Sequence, residues 1–195
     1  MNNILICGEQ SEQLTSRIIY GIVCNYNTEL IIYNQSGMLN MYDCIAERIR
    51  LDIDFVYRLR AINKIADLRQ RELSEGISLE KRKYICIVVP EFCDVYRSPY
   101  RKDIIRELTS LLYCTADIHI NMIICSRYAT SQVFPPSFLR LFGERWATKL
   151  LTPSESRHII GSGEAVNLLP DWALCRDIYG LHKIRIEPIE SKELY

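Results

Sequence analysis

Apolar residues along the chain follow two rhythms. Short apolar runs near residues 3–7, 29–34, 84–89, 119–125 and 146–151 have the length and composition of strands, and a closing pair is predicted near 172–175 and 182–187. Between them, apolar positions recur at three- and four-residue spacing and predict helices near 13–25, 40–47, 52–74, 101–115, 136–142 and 154–160. The longest carries Phe55, Val56, Leu59, Ile62 and Ala66 on one face, which should pack on a sheet. Its other face holds Arg58, Arg60, Lys64, Asp67, Arg69 and Arg71, read as a solvated surface, with a partner surface as the alternative. Loops are predicted at 74–83, 97–101 and 128–136. Alternating strands and helices imply an α/β fold, a mostly parallel central sheet with helices on both faces. No internal repeat, low-complexity tract or linker divides the chain, so residues 1–195 are expected to form a single domain.

The first strand runs into Gly8-Glu9-Gln10-Ser11-Glu12-Gln13-Leu14-Thr15, which has the length and context of a phosphate-binding loop. Gly8 and Thr15 stand at the required spacing, but Gln13 replaces the second glycine and Leu14 replaces the lysine. A working loop curls its amides around a phosphate using glycine dihedrals and adds an ammonium. Leu14 supplies no charge, and Glu9 and Glu12 bring negative charge to the place a polyphosphate would occupy. The alternative is an ordinary strand-to-helix turn with Ser11 as the helix N-cap.

The run Tyr84–Val89 reads as a buried central strand and ends in Pro90 and Glu91. A Walker B motif would place a metal-holding aspartate and a water-orienting glutamate there. Proline offers no ligand oxygen, and Glu91 alone has no anchored metal or γ-phosphate to work with.

Together, these segments resemble the motor domain of the FtsK/SpoIIIE family of translocating ATPases, and the resemblance runs over nearly the whole chain. Residues 4–16 are similar to the family's Walker A segment and 84–95 to its Walker B segment. Residues 119–134 are similar to its sensor strand and loop, with Arg127 on the family's arginine. Residues 144–174 follow the family's last conserved stretch, with Arg145, Ser156, Arg157, Leu168, Leu169 and Asp171 on matching positions. The resemblance implies a RecA-like P-loop NTPase fold. It marks Gly8, Thr15, Glu91 and Arg127 as a vestigial nucleotide site, with ATP and Mg²⁺ possible but not expected as cofactors. Arg127, Arg145 and Arg157 match basic positions that in the family lie toward nucleotide or a neighbouring subunit; structural ion pairing is the equal alternative. Leu14, Pro90, Trp172, Arg145 and Arg157 are the candidate partner contacts, on the reasoning that a former nucleotide crevice with apolar replacements can receive an apolar side chain. Trp172 has core packing as its other reading.

The missing lysine and aspartate suggest a degenerate ATPase domain of the kind found in EccC and EssC, the tandem ATPases of type VII secretion. The resemblance then implies a noncatalytic module that recognises or regulates, with linked or neighbouring ATPase domains and a secreted protein substrate as partners. A residual ATP-binding or DNA-translocase domain is the alternative. Its beginning at the first core strand also suggests an excised tandem module.

Composition narrows these expectations. The chain is 48% hydrophobic and 25% charged, enough to bury a sizeable core. Its 24 basic and 24 acidic residues cancel, which makes nucleic acid an unlikely partner. No apolar run is long enough to span a membrane and no secretory leader is visible, so a cytoplasmic location is expected, with membrane contact only through a parent protein. The 8 cysteines form no C-x-x-C pair, and His119, His158 and His182 fall in no ligand spacing. Reduced, packed thiols are expected, with no metal.

Overall fold

In the computed structural model, which describes residues 2–35, 37–114 and 116–187, eight strands form one sheet. They are β1 (Ile4–Cys7), β2 (Thr28–Tyr33), β3 (Ala46–Ile49), β4 (Tyr84–Val89), β5 (Ile120–Ser126), β6 (Glu144–Ala147), β7 (Trp172–Asp177) and β8 (Gly180–Arg185). Their spatial order is β3-β2-β4-β5-β1-β6-β7-β8. The first six are parallel, and β7 and β8 add an antiparallel extension beyond β6. The helices are α1 (Ser11–Asn25), α2 (Asp52–Ser74), α3 (Phe92–Arg97), α4 (Arg101–Leu112), α5 (Pro136–Leu139) and α6 (Pro153–Ile160).

Strand alternation divides the core in two. Leu5, Ile31, Ile87 and Ile124 point to one face, where they meet Phe55, Leu59 and Ile62 of α2 and Ile104 and Leu108 of α4. Ile6, Ile32, Val88 and Ile123 point to the other and pack with Leu14, Ile19 and Ile22 of α1 and with Tyr42. Both faces are covered, as a parallel sheet requires. Arg69 of α2 is buried and reaches the entry side of the sheet, donating to the carbonyls of Ile118, His119 and Lys83.

Several elements depart from the expected pattern. The predicted helix at 40–47 is instead a short 3-10 turn, Asn40–Tyr42, followed by β3, an edge strand beside β2. Met41, Tyr42, Ile45 and Ala46 mimic helical spacing, but only Tyr42 among them is buried; the strand is fixed by its ladder with β2. β6 begins and ends earlier than expected, and α3 lies where none was expected. α4 ends at Leu112 rather than 115; Thr115 lies outside the described residues.

Candidate functional site

The loop after β1 is shorter than its sequence suggests. α1 already begins at Ser11, so only Gly8, Glu9 and Gln10 turn the chain. Ser11 is the first helical residue and not the N-cap; Gln10 holds that position without a side-chain cap bond. The turn's amides are consumed inside the protein. Gly8 N–H donates to the Ser126 carbonyl at 3.0 Å, Glu9 N–H to the Lys149 carbonyl at 3.0 Å, and Ser11 N–H to the Gly8 carbonyl at 3.2 Å. Gln10 N–H donates to Thr148 Oγ1 at 3.1 Å. A phosphate nest needs such amides aimed outward at an anion, and here the end of β5, the segment after β6 and the turn itself take them.

Gly8 makes this closure possible. Its φ is +124°, and a Cβ there would lie 2.4 Å from Thr148 Oγ1 and 2.8 Å from the Lys149 carbonyl oxygen. The glycine is required by close backbone approach.

Leu14, at the lysine position, is buried with Ile6, Ile19 and Ile186. It also floors a groove of about 250 Å³ that includes Ile18, Trp146 and Ile184. Thr15 is fully buried; its hydroxyl donates to the Ser11 carbonyl at 2.6 Å and lies 2.9 Å from Cys125 Sγ.

Glu91 follows the buried Pro90 and acts as the N-cap of α3, accepting from Cys93 N–H at 3.0 Å. The same oxygen accepts from Ser126 Oγ at 2.9 Å, and the other from Arg127 N–H at 3.2 Å. Glu91 therefore ties the ends of β4 and β5 together. Because the Ser126 carbonyl receives Gly8 N–H, the turn after β1 joins the same network. A polar cavity of about 260 Å³ opens beside it, lined by Glu91, Cys93, Asp94, Arg97, Arg127 and Tyr128. Burial, and then Glu91, push the Asp94 carboxyl up, while burial pushes the Cys93 thiol up, away from the thiolate.

Gly8, Glu91 and Arg127 are thus gathered at one end of the sheet, whereas Thr15 is turned away beneath them. The candidate partner residues do not converge. Trp172 packs on the α2 side of the sheet with Lys183 Nζ 4.8 Å from its ring centroid, and Leu14 lies on the α1 side. Arg145 is half-buried on β6 beside Arg176 of β7. Arg157 is exposed near the end of α6, close to Gly163.

One feature was missed by sequence reasoning. Phe92 and Tyr96 of α3, Ile105 of α4, Val133, Phe138 and Leu141 line an open apolar pocket of about 200 Å³. Phe92 stacks near Phe134 and Phe138, with centroids 5.3 and 5.5 Å away, and Tyr96 OH donates to the Gln132 and Val133 carbonyls at 2.9 Å. The Phe134/Phe138 spacing beside two prolines was a usable signal for an aromatic cluster. Among the described residues no group of three or more His, Cys, Asp and Glu could hold a metal, and no helix is long and apolar enough to cross a membrane. All eight cysteines are free; Cys7, Cys86, Cys125 and Cys175 are buried.

No protein-family model and no curated protein matches the chain. Solved structures do. The pCW3 conjugation coupling protein TcpA, in its monomer form with ATPγS, superposes with a TM-score of 0.86 at 12% identity, over 98% of this chain and 62% of that one. Thermomonospora curvata EccC (ATPases 2 and 3) in complex with a signal sequence peptide gives 0.73 at 18% identity, over 95% of this chain and 38% of that one. The genome packaging NTPase B204 of Sulfolobus turreted icosahedral virus 2, in complex with AMPPCP, gives 0.65 at 12% identity, over 96% and 98%. This chain spans less than two thirds of the TcpA and EccC chains and nearly all of B204. With its mostly parallel sheet covered on both faces, the protein shares the α/β fold of these coupling-protein, secretion-ATPase and packaging-NTPase structures.

Proposed function

We propose that this domain is a noncatalytic module of a translocase, working by binding protein in the manner of a type VII secretion recognition or regulatory domain. The closed turn at Gly8–Ser11 carries the reading: its amides are spent on Ser126, Lys149, Thr148 and Gly8 itself. Leu14 and Pro90 replace the lysine and aspartate that would hold phosphate and metal, and both are buried. Losing those two contacts removes about 1.5–3 kcal/mol each, or roughly 10²–10⁴-fold in affinity if additive.

The accessible chemistry is apolar. The Phe92–Phe138 pocket presents aromatic walls to a partner side chain. Since the EccC neighbour is described with a bound signal sequence peptide, a segment of a secreted protein is the occupant we assign to it. Linked or neighbouring ATPase domains are the other partners, and the location is the cytosolic part of a secretion assembly. Of the candidate contacts Leu14, Pro90, Trp172, Arg145 and Arg157, this proposal keeps Leu14, which lines the groove with Ile18 and Trp146, and the partly exposed Trp172, Arg145 and Arg157.

Two neighbours hold nucleotide analogues, which favours a second reading, a residual nucleotide-binding or DNA-packaging domain using Thr15, Glu91 and an arginine from another subunit. Calorimetry with Mg-ATP separates the two. The first reading expects no micromolar binding; micromolar binding abolished by Thr15→Ala overturns it. Peptides from candidate secreted substrates should bind, and Tyr113→Glu, at an exposed residue of the pocket wall, should weaken them about tenfold or more.

A further inference from the structure

Strand alternation sorts charge on the antiparallel extension. Arg145 and Ala147 of β6 share a face with Leu174 and Arg176 of β7, the face that α6 covers. Glu144 and Asp177 fall on the opposite face. There Glu144 contacts Asn2 and Trp146, and Asp177 accepts from the Tyr179 and Gly180 amides and meets His182. The carboxylates nearest in sequence are therefore turned away from the two arginines.

Arg145 and Arg176 are direct cross-strand partners, and both are half-buried. Such partners have Cβ atoms about 4.5–5.5 Å apart, and like charges there are destabilising. Arg176 is held in place: its Nε donates to the Ile160 carbonyl at the end of α6, and its guanidinium lies over Gly161, where an added Cβ would be 3.1 Å from Nη2. The negative end of α6 accounts for Arg176. It does not account for Arg145, which has no carboxylate paired with it among the described residues; burial, and then Arg176, push its guanidinium pKa down. Two guanidinium groups on cross-strand partners, one of them anchored at the end of α6 and neither paired with a carboxylate among the described residues, form a donor set suited to an oxyanion.

We propose that Arg145 and Arg176 together bind an oxyanion, a phosphate or carboxylate group, on the face of β6 and β7 beside the end of α6. The site shares no lining residue with the apolar pocket or with the cavity at Glu91, and it stands whether or not the module binds nucleotide.

Thermal melting of the 195-residue protein in sodium chloride, phosphate and acetate at matched ionic strength tests it. Phosphate should raise the melting temperature in a saturating manner by about 2–4 °C. A matching response to acetate identifies a carboxylate-bearing ligand, and a response to phosphate alone identifies a phosphate-bearing one. Arg145→Gln should abolish the response and, in chloride, melt no lower than the parent, because a like-charge contact has been relieved. Arg145→Lys should retain part of the response. An equal phosphate effect in parent and Arg145→Gln, no effect in the parent, or a lower melting point of Arg145→Gln in chloride would each overturn the proposal.

Discussion

Replacing Gly8 by alanine probes the closed turn most directly. In a phosphate-binding loop, a glycine contributes chiefly to ligand affinity; here it contributes to the fold. An alanine at φ +124° places its Cβ 2.4 Å from Thr148 Oγ1 and 2.8 Å from the Lys149 carbonyl oxygen. The dihedral costs on the order of 1–3 kcal/mol, and forcing an extra carbon into a packed site costs about 1–3 kcal/mol more. Thr148 can rotate or be cut back, but the Lys149 backbone cannot retreat without stretching the bond from Glu9 N–H. The expected loss is therefore about 2–6 kcal/mol, with the melting temperature falling about 2–4 °C for each kcal/mol in a chain of this size. Urea unfolding, read as a lower midpoint at unchanged slope, is the assay. Thr148→Ala should be milder alone and should recover part of the loss in the double variant, leaving the backbone clash. If Gly8→Ala lowered stability by less than about 0.5 kcal/mol, a surface-substitution value, the argument for a closed turn would fail.

Two other outcomes follow from the same geometry. Leu14→Lys, the substitution that would restore a phosphate lysine, places an ammonium in an apolar pocket 5% exposed and should cost about 2–4 kcal/mol without creating Mg-ATP binding by calorimetry; a triple variant with Gln13→Gly and Pro90→Asp that binds micromolar ATP at full stability would refute this. Burial raises the thiols of Cys86, Cys125 and Cys175 from 9.0 to about 12, so the unfolded chain ionises them first and their stabilisation, complete below about pH 9, is lost as pH rises toward 12, by up to about 1.4 kcal/mol per thiol per pH unit; urea melts that stay constant from pH 9 to 11 would contradict it, as would native alkylation that fails to start at the exposed Cys24 and Cys44.

The sheet was legible wherever burial on both faces left continuous apolar runs, as in β1, β2, β4 and β5. Legibility fell at the edge. β3 is Ala-Glu-Arg-Ile, a strand at the edge of the sheet paired with β2 among the described residues, and nothing local distinguishes it from a helical turn. α3 spans six residues, too few to show a period, and its start depends on the Glu91 cap. At the candidate site, the replaced glycine and lysine were visible in the sequence, but the closure was not. The acceptors that close the turn, Thr148 and Lys149, come from a distant part of the chain and occupy positions assigned to a strand. Leu14 and Pro90 read as apolar replacements lining one crevice; packing buried Pro90 and set Leu14 at the floor of a groove on the α1 side.

The position of β1 has a consequence for how the molecule is made. Ile4 partners Ile123 of β5 on one side and Glu144 of β6 on the other. β1 is made before both of its partners, so it must wait for the last two parallel strands before its ladder hydrogen bonds exist. β2, β3 and β4 can pair among themselves meanwhile, since they are neighbours in both chain and sheet. Long-range closure of this kind slows folding and leaves an apolar strand exposed during synthesis. The insertion of β1 is thus the step at which the two halves of the sheet become one, and the same event brings Gly8 against Ser126 and Thr148, so the turn forms only when the whole sheet does.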